Sequence, residues 1–164
     1  MRAKLAFGGH RYAVNRELKS SDSSSVARAL LSEHGLRYSR PREVILSYFR
    51  ECARHVNAEA VYLALKERGN NFSLSTVYLN LGVLREAGLV REFHGVGGES
   101  LYDSNISLHY HLICKRCNRV MDLPHEVMAG ETPVRLQRQA EAASGWQLDE
   151  PNLNLYGLCT TCQD

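Results

Sequence analysis

Two Cys-x-x-Cys pairs constrain this chain of 164 residues more than any other feature of its sequence. The pairs are Cys114/Cys117 and Cys159/Cys162, and 41 residues lie between them. Four thiolates supplied by two short turns suit a tetrahedral Zn²⁺ ion, which structural sites hold with four protein ligands. We therefore predict a structural zinc site that fastens the second Cys-x-x-Cys turn to the first.

Other uses of these cysteines fit the sequence less well. The chain has neither an apolar run near the ~20 residues of a membrane span nor an apolar secretory signal. We therefore expect a cytoplasmic protein, in which disulfides are disfavoured. A redox Cys-x-x-Cys normally begins a helix, whereas Cys114 ends a predicted strand and Cys162 is two residues from the end of the sequence. The fifth cysteine, Cys52, lies in an apolar helical pattern and is expected to be a buried structural thiol.

Charge is distributed unevenly along the chain. Residues 1–94 contain 15 Lys and Arg against 9 Asp and Glu, whereas residues 95–164 contain 5 against 9. A basic front half favours contact with nucleic acid by counterion release, and an ordinary solvated imbalance is the alternative. The hydrophobic content of 44% predicts a packed chain of one ordinary or two small domains.

Capping residues place the helices of the front half. A first helix is expected from Ser25 to Gly35, after a polar run (residues 20–25) that is typical of a linker or cap. Residues 1–24 are expected to be a basic extension that is either disordered or a minor-groove arm. The predicted N-caps of the next three helices are Ser39, Asn57, and Ser73 or Ser75.

The hydrophobic period changes after Gly88. Leu89–Phe93 and Ser100–Asp103 are typical of two short strands around a glycine-rich turn. Helices followed by such a hairpin predict a winged helix-turn-helix, a DNA-binding domain, over residues 25–103.

The last helix before the hairpin is the predicted recognition helix. Its inward face, at helical spacing, is predicted to be Leu74, Val77, Leu81 and Leu84. Hydroxyls near its start can meet phosphates, while Tyr, Asn and Leu can meet base edges and thymine methyl groups. The predicted DNA contacts are Ser75, Thr76, Tyr78, Leu79 and Asn80. A solvated helix face is the alternative, which Tyr78 and Leu79 would suit poorly.

The sequence pattern of residues 104–164 predicts a small second domain. Strands are expected at His109–Cys114, Arg119–Leu123 and Leu153–Tyr156, with a helix at Val134–Ala143 ended by Gly145. So few residues bury little core alone, so a structural metal and a dimer partner would stabilise them. The fold class expected for the whole chain is α+β, a winged helix-turn-helix domain followed by a small α/β dimerisation domain.

Two histidines of this domain suggest a second metal site. His109 and His111 are two residues apart on a strand and point to one face, while Cys114 has the opposite parity. Together with Asp103 and Asp122 they would form a mixed nitrogen and oxygen site suited to iron, manganese or zinc. Ordinary surface histidines are the alternative.

At this point a family resemblance becomes specific. Four segments resemble the ferric uptake regulator superfamily in order and spacing: RHVNAEAVYLAL, STVYLNLGVLREAGLV, LYDSNISLHYHLICKRC and LYGLCTTC. The resemblance covers about residues 25–164. Within the superfamily the chain is most similar to peroxide-sensing repressors of the PerR type, which use a regulatory site of three His and two Asp. The resemblance places these ligands at His55, Asp103, His109, His111 and Asp122.

The resemblance implies a metal-dependent repressor that binds double-stranded operator DNA as a homodimer. Its cofactors would be structural Zn²⁺ and regulatory Fe²⁺ or Mn²⁺. Hydrogen peroxide would act as a signal through iron-catalysed oxidation of His55 or His109. The alternative within the superfamily is an iron-, manganese- or zinc-responsive uptake regulator without peroxide sensing. Asp122 favours the sensor, because iron-uptake members more often have Glu there.

Three features depart from the family pattern. Leu108 and Tyr110 stand where iron-sensing members place ligands of a further metal site, so that site is expected to be missing. Leu79 replaces the usual Arg or Asn after the recognition tyrosine and leaves the operator sequence open. The segment PHEVMAGETPV is longer than usual, and its His125 is expected to be a surface residue.

Two other classes of function are alternatives for a chain with such a cysteine pattern. A zinc hydrolase or deaminase would need a catalytic Glu, and the chain lacks the His-x-Glu motif of the deaminases. A zinc-ribbon scaffold without a DNA role is the other alternative. We expect a regulator rather than an enzyme and assign no catalytic residue.

Overall fold

The computed structural model describes residues 20–52, 55–107, 109–123, 133–149 and 153–163. The predictions about residues 1–19, Leu108 and His125 lie outside these ranges. The helices are α1 (Ser20–Glu33), α2 (Arg40–Glu51), α3 (Ala58–Glu67), α4 (Leu74–Glu86) and α5 (Pro133–Ser144). The strands are β1 (Arg91–His94), β2 (Ser100–Asp103), β3 (His111–Cys114), β4 (Val120–Asp122) and β5 (Asn154–Gly157), and a short 3-10 helix follows at Thr160–Cys162.

The predicted helix caps of the first domain are confirmed. Ser39, Asn57 and Ser73 each accept a hydrogen bond from the backbone N–H three residues later, at 3.4, 2.8 and 3.1 Å. Each such cap stabilises its helix by about 1 kcal/mol. Ser73 and Ser75 were the two candidate N-caps of the recognition helix; Ser73 is the cap, and Ser75 lies inside the helix.

The prediction that residues 20–25 form a linker or cap was wrong, because α1 already begins at Ser20. Ser23 is buried, and the hydroxyl of Ser24 donates to the carboxylate of Glu43 on α2. Glu43 is itself buried and also accepts from Arg28 and Tyr38, both at 2.8 Å. Ser24 therefore contacts a buried carboxylate rather than water alone, and this contact offsets the poor helix propensity of serine at that position.

A single core joins α1–α4 to the hairpin that follows them. Leu31, Ile45, Phe49, Val61, Val77, Leu81, Leu84 and Val90 are among its most buried side chains. In the hairpin, β1 and β2 are antiparallel, with Phe93 opposite Leu101. A backbone bridge between Val56 and Tyr102, with N–O distances of 3.1 and 2.8 Å, ties the chain before α3 to β2. This architecture is the predicted winged helix, and the bridge brings the neighbours His55 and Asp103 together.

The second domain contains a sheet in the order β4-β3-β5 within the described ranges. β3 pairs antiparallel with β4 and parallel with β5, so His111 lies between Asp122 and Asn154. The predicted strand started at His109, but β3 begins two residues later, at His111. The domain carries large exposed apolar side chains: Leu136, Trp146, Leu148, Leu155, Tyr156 and Leu158. Across all the described helices, none combines the length with the apolar character that a membrane span requires.

Candidate metal centres and recognition helix

The four cysteines of the two Cys-x-x-Cys pairs lie together in the structure. Their sulfur atoms all fall within 4.8 Å of one another, and Sγ of Cys117 is 3.7 Å from Sγ of Cys159. The parallel pairing of β3 with β5 explains this, because Cys114 ends β3 and lies opposite Gly157, just before the second pair. In the first turn, Asn118 has a φ of 55°, a left-handed conformation that Asn tolerates better than most residues.

The electrostatics of this cluster suit a cation. The backbone N–H of Cys159 donates to Sγ of Cys114 at 3.3 Å, and backbone donors of this kind lower the pKa of Cys114 to about 6. The neighbouring thiols, above all that of Cys159, raise the pKa of Cys162 to about 12. Four sulfurs this close cannot all ionise without a cation between them, and Zn²⁺ is the cation that such a set prefers. All five cysteines, each of them described, are free of disulfides.

The second cluster brings together the five residues that the resemblance named. His55 precedes α3 and Asp103 ends β2, whereas His109 lies just before β3, His111 begins β3 and Asp122 ends β4. Nε2 of His55 is 2.8 Å from Oδ1 of Asp122, and Nε2 of His109 is 2.8 Å from Oδ2 of Asp103. Nε2 of His109 is also 2.9 Å from Nε2 of His111. The donor atoms converge on one point from two domains.

Buried atoms without partners show that a divalent cation fits this point. Nε2 of His55, Oδ2 of Asp103 and Oδ1 of Asp122 are buried, and none of them has a hydrogen bond of acceptable geometry within the described residues. A buried polar atom left in this state costs about 1–3 kcal/mol. A cation coordinated by all three would satisfy them together, and the three His and two Asp suit iron or manganese.

Hydrogen bonds behind the cluster orient the imidazoles of His109 and His111. Nδ1 of His109 lies 2.8 Å from the carbonyl oxygen of Ser107, and Nδ1 of His111 lies 3.3 Å from Oδ1 of Asn154. Since these oxygens accept, each Nδ1 donates to them, and each Nε2 is directed into the cluster, where it can bind a metal once it has lost any proton. Sequence reasoning missed Asn154, because its role depends on the pairing of β5 with β3.

Phe93 of β1 forms an apolar wall of the same cluster and was also missed as a site residue. Its buried ring stacks on His111, with centroids 4.0 Å apart, and contacts the ring of His55 edge-on at 5.5 Å. Phe93 therefore touches one candidate ligand from each domain. A wall of this kind limits solvent access and lowers the local dielectric constant.

Protons and metal compete for the histidines of this cluster. Burial alone would lower the pKa of His55, but the nearby carboxylates of Asp103 and Asp122 outweigh burial and raise it to about 9. Asp103 likewise raises the pKa of His109. In turn, the histidines hold the pKa of Asp103 well below its usual range. A metal ion must displace these protons, so its affinity should fall as the pH is lowered.

On the recognition helix α4, Tyr78 and Leu79 are exposed as predicted, at 44% and 68%. Ser75 is also exposed, and Thr76 is half-buried. The outward placement of Asn80 was wrong. Asn80 is buried, and its side-chain amide donates to the carbonyl oxygen of Thr76 at 2.7 Å.

Helix geometry explains the position of Asn80. The residue follows Val77 by three positions and precedes Leu84 by four, so all three share the inward face. The spacing alone was sufficient to place it there. The polar character of Asn suggested the opposite face and misled the sequence prediction.

The fold and its two donor clusters define a two-domain winged-helix protein with a four-cysteine cluster and a five-residue His/Asp cluster. The chain belongs to the ferric uptake regulator family, whose model matches residues 33–156. It is similar to the peroxide-responsive repressor PerR of Staphylococcus aureus, at 29% identity over 152 residues that cover 93% of this chain and 95% of the relative.

Solved structures give the same family. The ferric uptake regulator of Vibrio cholerae is 31% identical, with a TM-score of 0.65 over 80% of this chain and 98% of that one. The ferric uptake regulator of Pseudomonas aeruginosa, solved with manganese, is 29% identical, with a TM-score of 0.65 over 82% of this chain and 98% of that one.

Proposed function

We propose that this chain is a metal-dependent DNA-binding repressor whose regulatory metal binds at the five-residue cluster. The supporting observation is the convergence of donors from the winged helix (α1–α4, β1 and β2) and from the second domain. Three of these donor atoms are buried without a hydrogen bond of acceptable geometry. A metal that draws these donors together would fix the angle between the two domains. Its effect on DNA binding is its preference for that one arrangement.

The structure supports a short path from this cluster to α4. His55 directly precedes the bridge residue Val56 and the cap of α3, Asn57, so fixing His55 constrains the start of α3. The helices α3 and α4 share the buried core through Val61 and Leu81. A ligand at His55 can therefore orient the recognition helix without touching it.

A homodimer completes the proposal. The exposed apolar side chains of the second domain would be covered by a second copy of the chain. In a symmetric dimer the two α4 helices would enter successive major grooves of the operator. The proposed contacts with DNA are Ser75, Thr76, Tyr78 and Leu79.

A Tyr78→Ala variant tests these contacts. It removes an exposed side chain, so operator affinity should fall by about 1–3 kcal/mol, the range of a good base contact, or roughly 5- to 150-fold. Fluorescence anisotropy with an operator first selected from randomised DNA measures this loss. Metal content and thermal unfolding should be unchanged. Unaltered affinity would exclude this part of α4 from operator recognition.

Peroxide sensing is the finer part of the proposal. It is supported by the similarity to a peroxide-responsive repressor and by Asp122 in the donor set. Bound Fe²⁺, held by these five residues, would supply one-electron chemistry with peroxide. The net reaction transfers one oxygen atom from H₂O₂ to the imidazole of His55 or His109 and releases water. The oxidised ring is a poorer ligand, so the domains would separate and the operator would be released.

A metal-uptake regulator without peroxide chemistry is the second candidate. The similarity to the ferric uptake regulators of Vibrio cholerae and Pseudomonas aeruginosa favours it. The two candidates differ in what peroxide does to the protein loaded with iron.

Operator binding before and after peroxide separates the two candidates. The Fe²⁺ form should lose operator binding and gain 16 Da, one oxygen, on a peptide containing His55 or His109. The Mn²⁺ form should bind the operator and keep that binding after peroxide, because Mn²⁺ does not readily undergo the same one-electron step. An Asp122→Glu variant should keep metal-activated binding but respond less, since the longer carboxylate moves the metal. If the Fe²⁺ form keeps full binding and both peptides stay unmodified, the uptake regulator is the better description.

A further inference from the structure

The phenol of Tyr78 is held by a carboxylate on the neighbouring helix. Its hydroxyl lies 2.5 Å from Oε1 of Glu59, which belongs to the first turn of α3. Both residues are exposed, and Tyr78 is on the face of α4 proposed to meet the operator. The bond therefore lies at the surface where bases would be recognised, although Glu59 was not among the predicted DNA contacts.

The direction of this hydrogen bond is fixed by chemistry. A phenol has one proton to donate and two lone pairs that accept, whereas an ionised carboxylate only accepts. The hydrogen bond from Tyr78 and the backbone N–H of Glu59 lower the pKa of Glu59, so this carboxylate is ionised near neutral pH. Its place in the first turn of α3 also favours negative charge. The single hydroxyl proton of Tyr78 is thus committed to Glu59 in a charge-assisted bond.

We propose that Glu59 makes Tyr78 a pure hydrogen-bond acceptor toward the operator and thereby selects the exocyclic amino group of adenine or cytosine. In the major groove only these amino groups donate, whereas guanine O6 and N7 and thymine O4 accept. Phosphate oxygens also accept and would need the hydroxyl proton that Tyr78 already donates to Glu59. Glu59 is a positioning residue that acts through Tyr78, and this role rests on the proposed function of α4.

The negative charge of Glu59 has a separate, sequence-independent effect. A carboxylate at the DNA-facing surface repels phosphates and weakens binding to any sequence. Its removal should therefore strengthen non-specific binding whether or not Tyr78 recognises a base. Substitution by Gln separates the two effects, because Glu59→Gln removes the charge but keeps an oxygen that accepts the phenol proton.

Selection from randomised DNA with the full-length, metal-loaded protein tests this assignment. The wild type should prefer adenine or cytosine about five-fold or more at one position of each half-site, the lower end for a good base contact. Tyr78→Phe should lose that preference and keep the others. Glu59→Ala should admit guanine or thymine at the same position, whereas Glu59→Gln should retain the wild-type preference. The double variant Glu59→Ala/Tyr78→Phe should show the same base preferences as Tyr78→Phe.

Glu67→Ala is the matched control, because it removes one exposed negative charge from the other end of α3. It should leave every base preference unchanged. The proposal is overturned if Glu59→Ala keeps the wild-type preference, if it relaxes only positions that Tyr78→Phe leaves intact, or if the wild type prefers guanine or thymine there. If Tyr78→Ala also leaves operator affinity unchanged, the proposed role of α4 falls with it. If Tyr78→Ala loses operator affinity as expected but Glu59→Ala keeps the wild-type base preference, only the role of Glu59 is rejected.

Discussion

A His109→Ala variant is expected to bind the operator no more tightly with Fe²⁺ or Mn²⁺ than without either metal. The side chain of His109 is 3% exposed and lies within 2.9 Å of donor atoms of both Asp103 and His111. Its loss removes one of five ligands and leaves two carboxylates facing each other with less positive charge between them. Allosteric coupling of 1–3 kcal/mol corresponds to about 5- to 150-fold in affinity, and we expect all of that stimulation to disappear.

Anisotropy titrations of the operator with and without metal measure this loss, and competition with a metal indicator measures the metal affinity. His34→Ala is the matched control, since His34 is exposed at the end of α1 and outside the cluster. Zinc content should stay at the wild-type value in both variants, which separates a lost ligand from a failed fold. Metal-stimulated operator binding that survives in His109→Ala would place the regulatory metal elsewhere.

The elements and both donor clusters were largely accessible from the sequence, for a physical reason. Caps such as Asn57 act on backbone groups three residues away, and Cys-x-x-Cys or His-x-His patterns fix side chains within one turn or strand. His55, Asp103 and Asp122 are different, because they come from separate loops and strand ends. Only the family resemblance assigned all three as ligands of one site, and the bridge between Val56 and Tyr102 and the β3–β4 ladder explain why they meet.

What the sequence did not predict depends on contacts between distant elements. Phe93 could be placed on a strand, but its stacking on His111 requires the position of the wing against the second domain. The bond from Tyr78 to Glu59 joins residues 19 positions apart on two helices. The hydrogen bond from Ser24 to the buried carboxylate of Glu43 likewise joins residues on two helices, α1 and α2.

A Cys114→Ser variant is expected to lose the structural zinc and, with it, the stable second domain. Cys114 is buried at the end of β3, and serine would keep an acceptor for the N–H of Cys159 but supply no thiolate. The end of the described chain is tied to the domain by β5, which has four residues and pairs with β3 alone within the described sheet. Zinc binding contributes about 10–16 kcal/mol in small zinc domains, more than such a short strand can replace.

The expected result is a zinc-free protein with a lowered Tm that sediments as a monomer, because the surface proposed for dimerisation belongs to the same domain. Metal analysis, thermal unfolding and sedimentation measure the three effects. Cys52→Ser is the control, since Cys52 lies beside Arg68 and outside the four-cysteine cluster. If Cys114→Ser still contains zinc and the double variant Cys114→Ser/His109→Ala does not, the remaining zinc is bound by the five-residue cluster. A stable, zinc-free dimer of Cys114→Ser would show that the four cysteines do not hold this domain together, because the fold would then persist without the ion proposed to fasten β5 to β3.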